Sequence, residues 1–167
     1  MKINPHRKSQ FTLIELLVVI GIIGILSAVL LPAVGAALNN SKKTKAKSDC
    51  VQIAMAIAAY KADYGKLPTT STSATDTEVL FSDIQDILNG DNTNGKNPRQ
   101  KVYYSTSAPV KNPWNLDYKV TLDLDYNGKI DISVTTNSSP QNKTVNASVG
   151  VKTEYIFNDK TNTVTSW

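Results

Sequence analysis

The sequence predicts an α+β protein: a long N-terminal hydrophobic helix that continues into an amphipathic helix packed on a small antiparallel sheet. Three observations predict it. Residues 16–31 read LLVVIGIIGILSAVLL, with Ser27 the one polar side chain. Ala46, Cys50, Ile53, Ile57, Tyr60 and Tyr64 then recur at alternating steps of four and three, the period that lines one face of a helix. Between 118 and 134, Val120, Leu122, Leu124, Ile130, Ile132 and Val134 alternate with mostly polar residues, as in strands with one buried face.

Pro32 interrupts the apolar run, and AVGAAL carries it on to Leu38. The stretch is long enough for the ~20 residues that span hydrocarbon as a helix. A helix is also what lipid demands, because the backbone must satisfy its own hydrogen bonds there. Lys2, Arg7 and Lys8 precede the run without an acid beside them, which suits the basic region of a secretory signal. The run is longer than the roughly 7–15 apolar residues of such a signal, and Glu15 stands at its leading edge. A carboxylate there either stays hydrated at the interface or needs a partner, since ionisable groups in lipid are costly.

The formal charge of +4 sits in that leader and in Lys42, Lys43, Lys45 and Lys47. From Ser48 onward, 11 basic residues face 13 acids, so the distal part is slightly acidic and a nucleic-acid partner is not indicated. With 167 residues, 41% of them hydrophobic, the chain suits an anchor plus one modest domain. Cys50 is the only cysteine and His6 the only histidine. Neither a disulfide nor a Cys/His metal site can form within the chain. No nucleophile–base set or phosphate loop is present, so no enzyme is predicted.

The segment Gln10-Phe11-Thr12-Leu13-Ile14-Glu15-Leu16-Leu17-Val18-Val19-Ile20 resembles the cleavage and methylation segment of type IV prepilins and type II secretion pseudopilins. The resemblance implies that a membrane peptidase cuts between Gln10 and Phe11 and methylates the new Phe11 amine. Glu15 is then the fifth residue of the mature chain, and Pro32 matches the family's helix-kinking proline. Gln10 stands where the family carries Gly, a departure that touches processing and leaves the architecture unaffected. Physical logic agrees with the pattern. A charged amine buried among apolar helices is expensive when unpaired, and Glu15 of a neighbouring subunit can neutralise it and set the register between subunits.

Beyond the anchor, Gly65 and Pro68 end the amphipathic helix, and YKADYGKLP (60–68) resembles the close of the long helix in pseudopilins. Residues 69–77 read as a Ser/Thr-rich loop, 78–88 as a short amphipathic helix and 89–99 as an exposed, turn-rich loop. Asn112-Pro113-Trp114-Asn115-Leu116-Asp117-Tyr118 resembles the D-P-W-G-N-P-Y motif of major pseudopilins, matching at Pro113, Trp114 and Tyr118. Asn127-Gly128 predicts a hairpin. A three-residue loop with Gly128 left-handed would pair Leu124 with Ile130 and Leu122 with Ile132, keeping the buried face consistent. Asp123 then opposes Asp131, with Asp125 nearby, and like charges so placed repel. Two readings stay open, a solvated acidic face and a calcium ion held by Asp123, Asp125, Asn127 and Asp131. Calcium accepts six to eight oxygens in flexible geometry, and the resemblance places a calcium loop downstream of the Trp114 motif. Residues 152–157 form a further β-like run. The N-x-S/T triplets at Asn137, Asn142 and Asn146 read as loop composition.

The expected organisation is a leader at 1–10, a transmembrane and assembly helix at 11–38, and a periplasmic domain at 39–167. The resemblance implies a structural subunit of a type II secretion pseudopilus in the inner membrane. Its implied partners are copies of itself, minor pseudopilins, the prepilin peptidase/methyltransferase, the inner-membrane secretion platform and lipid. A type IV pilin for adhesion or motility is the alternative within the family. A membrane-anchored, calcium-dependent binding module is the alternative outside it.

Overall fold

The computed structural model describes residues 11–70, 72–73, 75–92, 95–106 and 108–167. The expected leader at 1–10 lies outside the described residues. The order is α1 (Leu13–Tyr64), β1 (Thr77–Leu80), α2 (Phe81–Leu88), β2 (Tyr118–Leu122), β3 (Ile130–Thr136), β4 (Ser139–Val145), β5 (Val149–Phe157) and β6 (Lys160–Thr165). The chain divides into two compact units, residues 1–40 and Ser41–Trp167.

The first unit is the apolar part of α1, which stays helical through Pro32. Its richest 18-residue window has a mean hydropathy of 2.8. Sixteen Leu, Ile and Val side chains between Leu13 and Leu38 are exposed. Leaving each in water costs about 1.5–3 kcal/mol. The sum exceeds the 5–15 kcal/mol or so that stabilises a whole domain, so this surface requires lipid or other helices around it.

The second unit has three layers. Its middle layer is an antiparallel sheet in the order β1-β2-β5-β6. On one face, Cys50, Ile53, Ile57 and Tyr60 of α1 join Phe81, Ile84, Ile87 and Leu88 of α2 over Tyr118, Val120, Leu122 and Val151 of the sheet. The four-three stripe read from the sequence is thus the face that packs on the sheet, and Cys50 is a packing residue. Burial and then the Asp49 charge push its thiol up to about 12. Asp49 and Asp63, off the stripe, are nevertheless engaged. Asp49 is buried and accepts a 2.9 Å bond from the Tyr118 hydroxyl. Asp63 accepts from Lys101 at 2.5 Å and from the Tyr103 hydroxyl at 2.7 Å.

On the other face lies the β3–β4 ribbon, a separate two-stranded sheet. Ile130 and Ile132 project from it onto Gly150 of β5, where an added Cβ would fall 2.2 Å from Ile132 Cδ1 and 2.7 Å from Ile130 Cδ1. Both isoleucines are fully buried, so both Cδ1 ends must shift within a packed layer to admit the methyl. Gly150→Ala is therefore expected to destabilise the domain by about 1–3 kcal/mol, measured by denaturant unfolding. Ile132→Val in the same chain should restore part of the loss. The ribbon is also pinned by polar contacts. Lys152 Nζ donates to the Ser133 carbonyl at 2.9 Å and meets Glu78 at 2.6 Å, and the Thr135 amide donates to Thr163 Oγ1 at 2.7 Å.

Several expectations are corrected. The hairpin joining 118–124 to 130–134 does not form: β2 pairs with β1 and β5, and β3 pairs with β4. Both faces of β2 are covered, so it takes the sheet's centre, and β3 serves better as cover than as neighbour. The helix expected at 78–88 begins only at Phe81, because 77–80 pairs with β2 as an edge strand. The loop at 89–99 is anchored rather than wholly exposed. Asn97 is fully buried, donating to the carbonyls of Ile87 and Lys101 and accepting from the Tyr64 hydroxyl. Asn142 belongs to strand β4 rather than to a loop.

Candidate functional sites

The first site opens α1. Thr12 precedes the helix, and its amide and hydroxyl donate to Glu15 Oε2 at 2.8 and 2.7 Å. The Glu15 amide donates back to Thr12 Oγ1 at 3.3 Å. This reciprocal arrangement is a capping box, in which a T-x-x-E segment satisfies orphan donors of the first turn. The Thr12–Glu15 spacing just before an apolar run was a legible signal that the sequence reading did not use. The Glu15 carboxylate is thereby held beside the Phe11–Thr12 backbone, on an exposed helix end.

The second site is acidic and lies in the distal unit. Carboxylate oxygens of Asp76, Asp123 and Asp125 all lie within 4.8 Å of one another. Asp123, fully buried, organises the loop between β2 and β3. Its two oxygens accept from the Asn127 amide at 3.1 Å and the Gly128 amide at 3.0 Å. Gly128 is left-handed, as the spacing predicted, with φ 77°. Asp125 accepts from the Asn127 amide and, at 2.7 Å, from Asn127 Nδ2. Asn127 Oδ1 accepts from the Lys129 amide at 2.7 Å, so this side chain braces the loop. Asp131 falls outside the cluster and accepts from Thr144 Oγ1 of the ribbon at 2.5 Å. Its pairing with Asp123 is lost with the hairpin that would have made it.

Asp76, which the sequence did not suggest, stands just before β1. Its Oδ1 is buried without a hydrogen-bond partner in the protein. Burial, and then the charges of Asp125 and Asp123, raise its carboxyl above its ordinary value. Donors that are all oxygen, three acids in one place and an orphaned buried carboxylate oxygen fit a hard divalent cation such as calcium.

The Trp114 segment is built on Asn112. Its Oδ1 accepts from the amides of Trp114 and Leu116 at 2.9 and 2.8 Å. Its Nδ2 donates to Thr153 Oγ1 and the Glu154 carbonyl at 2.8 and 2.9 Å. A carboxylate could make the first pair of bonds and not the second, which accounts for Asn where the pseudopilin motif has Asp. Trp114 stacks on Tyr155 at 4.6 Å.

No family model matches the chain, and no solved structure does. Curated relatives do. The type II secretion system core protein G of Aeromonas hydrophila is 32% identical over 133 residues, covering 77% of this chain and 82% of that protein. The protein of the same name from Klebsiella michiganensis is 30% identical over 133 residues, covering 76% and 83%. That of Pseudomonas aeruginosa is 44% identical over 65 residues, 39% of this chain and 46% of its own. These alignments span far more than the anchor, and they decide between the two branches that the sequence left open: the chain belongs to the type II secretion system core protein G family and is a pseudopilin.

Proposed function

We propose that the chain is cut before Phe11, methylated there, and held in the inner membrane by residues 11–38 with residues 39–167 in the periplasm. Copies then pack through α1 into the pseudopilus, where minor pseudopilins and the inner-membrane platform join them. The role is structural, with no chemistry of its own. The observation that carries this reading is the exposed apolar helix whose first turn presents a fixed carboxylate. Polymerisation removes both liabilities at once. Neighbouring helices cover the apolar surface, and Glu15 of one subunit neutralises the Phe11 amine of the next. N-terminal mass spectrometry of membrane-extracted protein tests the first step. The expected species begins at N-methylated Phe11, and a dominant species that keeps residues 1–10 would refute it. Gln10→Gly should speed the cut.

The distal domain holds one calcium ion through Asp76, Asp123 and Asp125, with Asn127 bracing the loop around them. The ion would supply a positive charge that binds these carboxylates together and offsets their mutual repulsion. Asp76 ties the segment before β1 to the loop after β2, so the ion would act as a staple across two distant parts of the chain.

A further inference from the structure

We propose that the surface formed by Lys42, Lys43, Lys47, Trp114 and Phe157, around the buried Tyr155 ring, docks on the headgroups of an anionic phospholipid bilayer. The proposal rests on residues 11–38 being the membrane anchor. Chain length then sets the reach. Lys42 follows Leu38 by four residues, so whatever path the chain takes, it lies no more than ~14 Å from the anchor's end. The headgroup layer on each side of a bilayer is itself about 5–8 Å thick.

Residues 41–48 carry four lysines and no acid. Lys45 pairs with Asp49 at 3.3 Å, while Lys42 and Lys47 are exposed and Lys43 is half-buried. The Lys43 ammonium lies 5.3 Å from the Tyr155 ring centroid and 5.5 Å from that of Phe157. Trp114, half-buried, stacks on the same Tyr155 ring, which is itself buried, and Phe157 is 39% exposed. Lysines set among Trp, Tyr and Phe side chains match the composition of membrane interfaces, where aromatic rings lie at headgroup depth and cations meet phosphates. Basic residues normally gather on the cytoplasmic side. Lysines trailing the anchor, on the opposite side in this reading, call for a counter-charge there, and anionic headgroups supply one. Each lysine near such a surface strengthens binding about fivefold, so three contribute roughly a hundredfold, weakened by salt. The function would be to hold the free subunit's domain down on the membrane until assembly lifts it away.

The test uses the full chain reconstituted as a dilute monomer in vesicles, carrying Trp167→Phe so that Trp114 alone fluoresces. Shallowly brominated lipid quenches the fluorescence at headgroup depth. Quenching is expected to be at least twofold stronger with phosphatidylglycerol than with pure phosphatidylcholine. It should fall to the phosphatidylcholine level in 0.5 M salt (about a 4 Å screening length) and in the Lys42→Gln/Lys43→Gln/Lys47→Gln variant. Equal quenching in both lipids, or no response to salt, would overturn the proposal; the salt arm needs no variant to fold. Failure of the chain to float with phosphatidylcholine vesicles in alkaline carbonate would instead overturn the anchor itself, and the docking with it.

Discussion

Glu15→Gln is expected to abolish filament assembly while leaving membrane insertion and the helix cap intact. The capping box accepts Gln as well as Glu at this position, so the variant keeps the bonds to Thr12 and removes only the charge. A mature subunit entering the bundle would then bury its Phe11 ammonium without a partner, which costs about 3–5 kcal/mol. That lowers the affinity of each added subunit by roughly two to three and a half decades. Thr12→Val supplies the converse case. It weakens the cap by about 0.5–2 kcal/mol and leaves the carboxylate, so filaments should persist at reduced yield. Counting sheared filaments by electron microscopy separates the outcomes. Filaments at normal yield from Glu15→Gln would refute the charge pairing, and filaments lost only with Thr12→Val would show that the cap is what matters.

Calcium is expected to raise the melting temperature of the full chain in detergent by about 10 °C when present at a hundred times its dissociation constant. Binding to the folded state alone contributes about 2.7 kcal/mol there, and a domain of this size shifts by roughly 3–5 °C per kcal/mol. Asp76→Asn is the diagnostic variant. Its Oδ1 accepts no hydrogen bond in the protein, and its charge is repelled by those of Asp125 and Asp123. The variant should therefore melt slightly higher than the parent in chelator and lose the calcium response. Asp123→Ala should lose the response and also melt lower in chelator, because the amides of Asn127 and Gly128 lose their acceptor. Asp131→Asn should respond to calcium like the parent. Identical melting of the parent in calcium and in chelator would sink the site.

The sign of the pH dependence follows from Asp76. Its folded-state carboxyl binds its proton more tightly than in the unfolded chain. Between the unfolded and folded titrations Asp76 therefore holds more proton in the native state, and its own contribution to stability without calcium falls as pH rises through that window. Calcium should reverse that trend within the window, since it binds the ionised carboxylate and competes with the proton.

Sequence alone determined the features that rest on local periodicity and on strong local chemistry. The apolar run predicts a helix in lipid whatever surrounds it, because the backbone has no other way to satisfy itself there. The stripe from Ala46 to Tyr64 shows which face of α1 is buried, and the alternation of 118–122 and 130–134 shows that these are strands. Glu15 is conspicuous because a carboxylate is rare in such a place. Tertiary structure alone decided which strand lies beside which. Alternation reports the buried face of a strand and is silent about its neighbour, so β2 and β3 look like one hairpin and belong to different sheets. Strands β4 and β6, SPQNKTV and KTNTVT, are too polar to announce themselves, and they become strands through the partners that β3 and β5 offer. The same gap moved the acidic site. Asp131 was nearby in sequence and is not in the cluster, whereas Asp76, 47 residues before Asp123, is brought in because β1 pairs with β2 and carries the preceding residue to the loop.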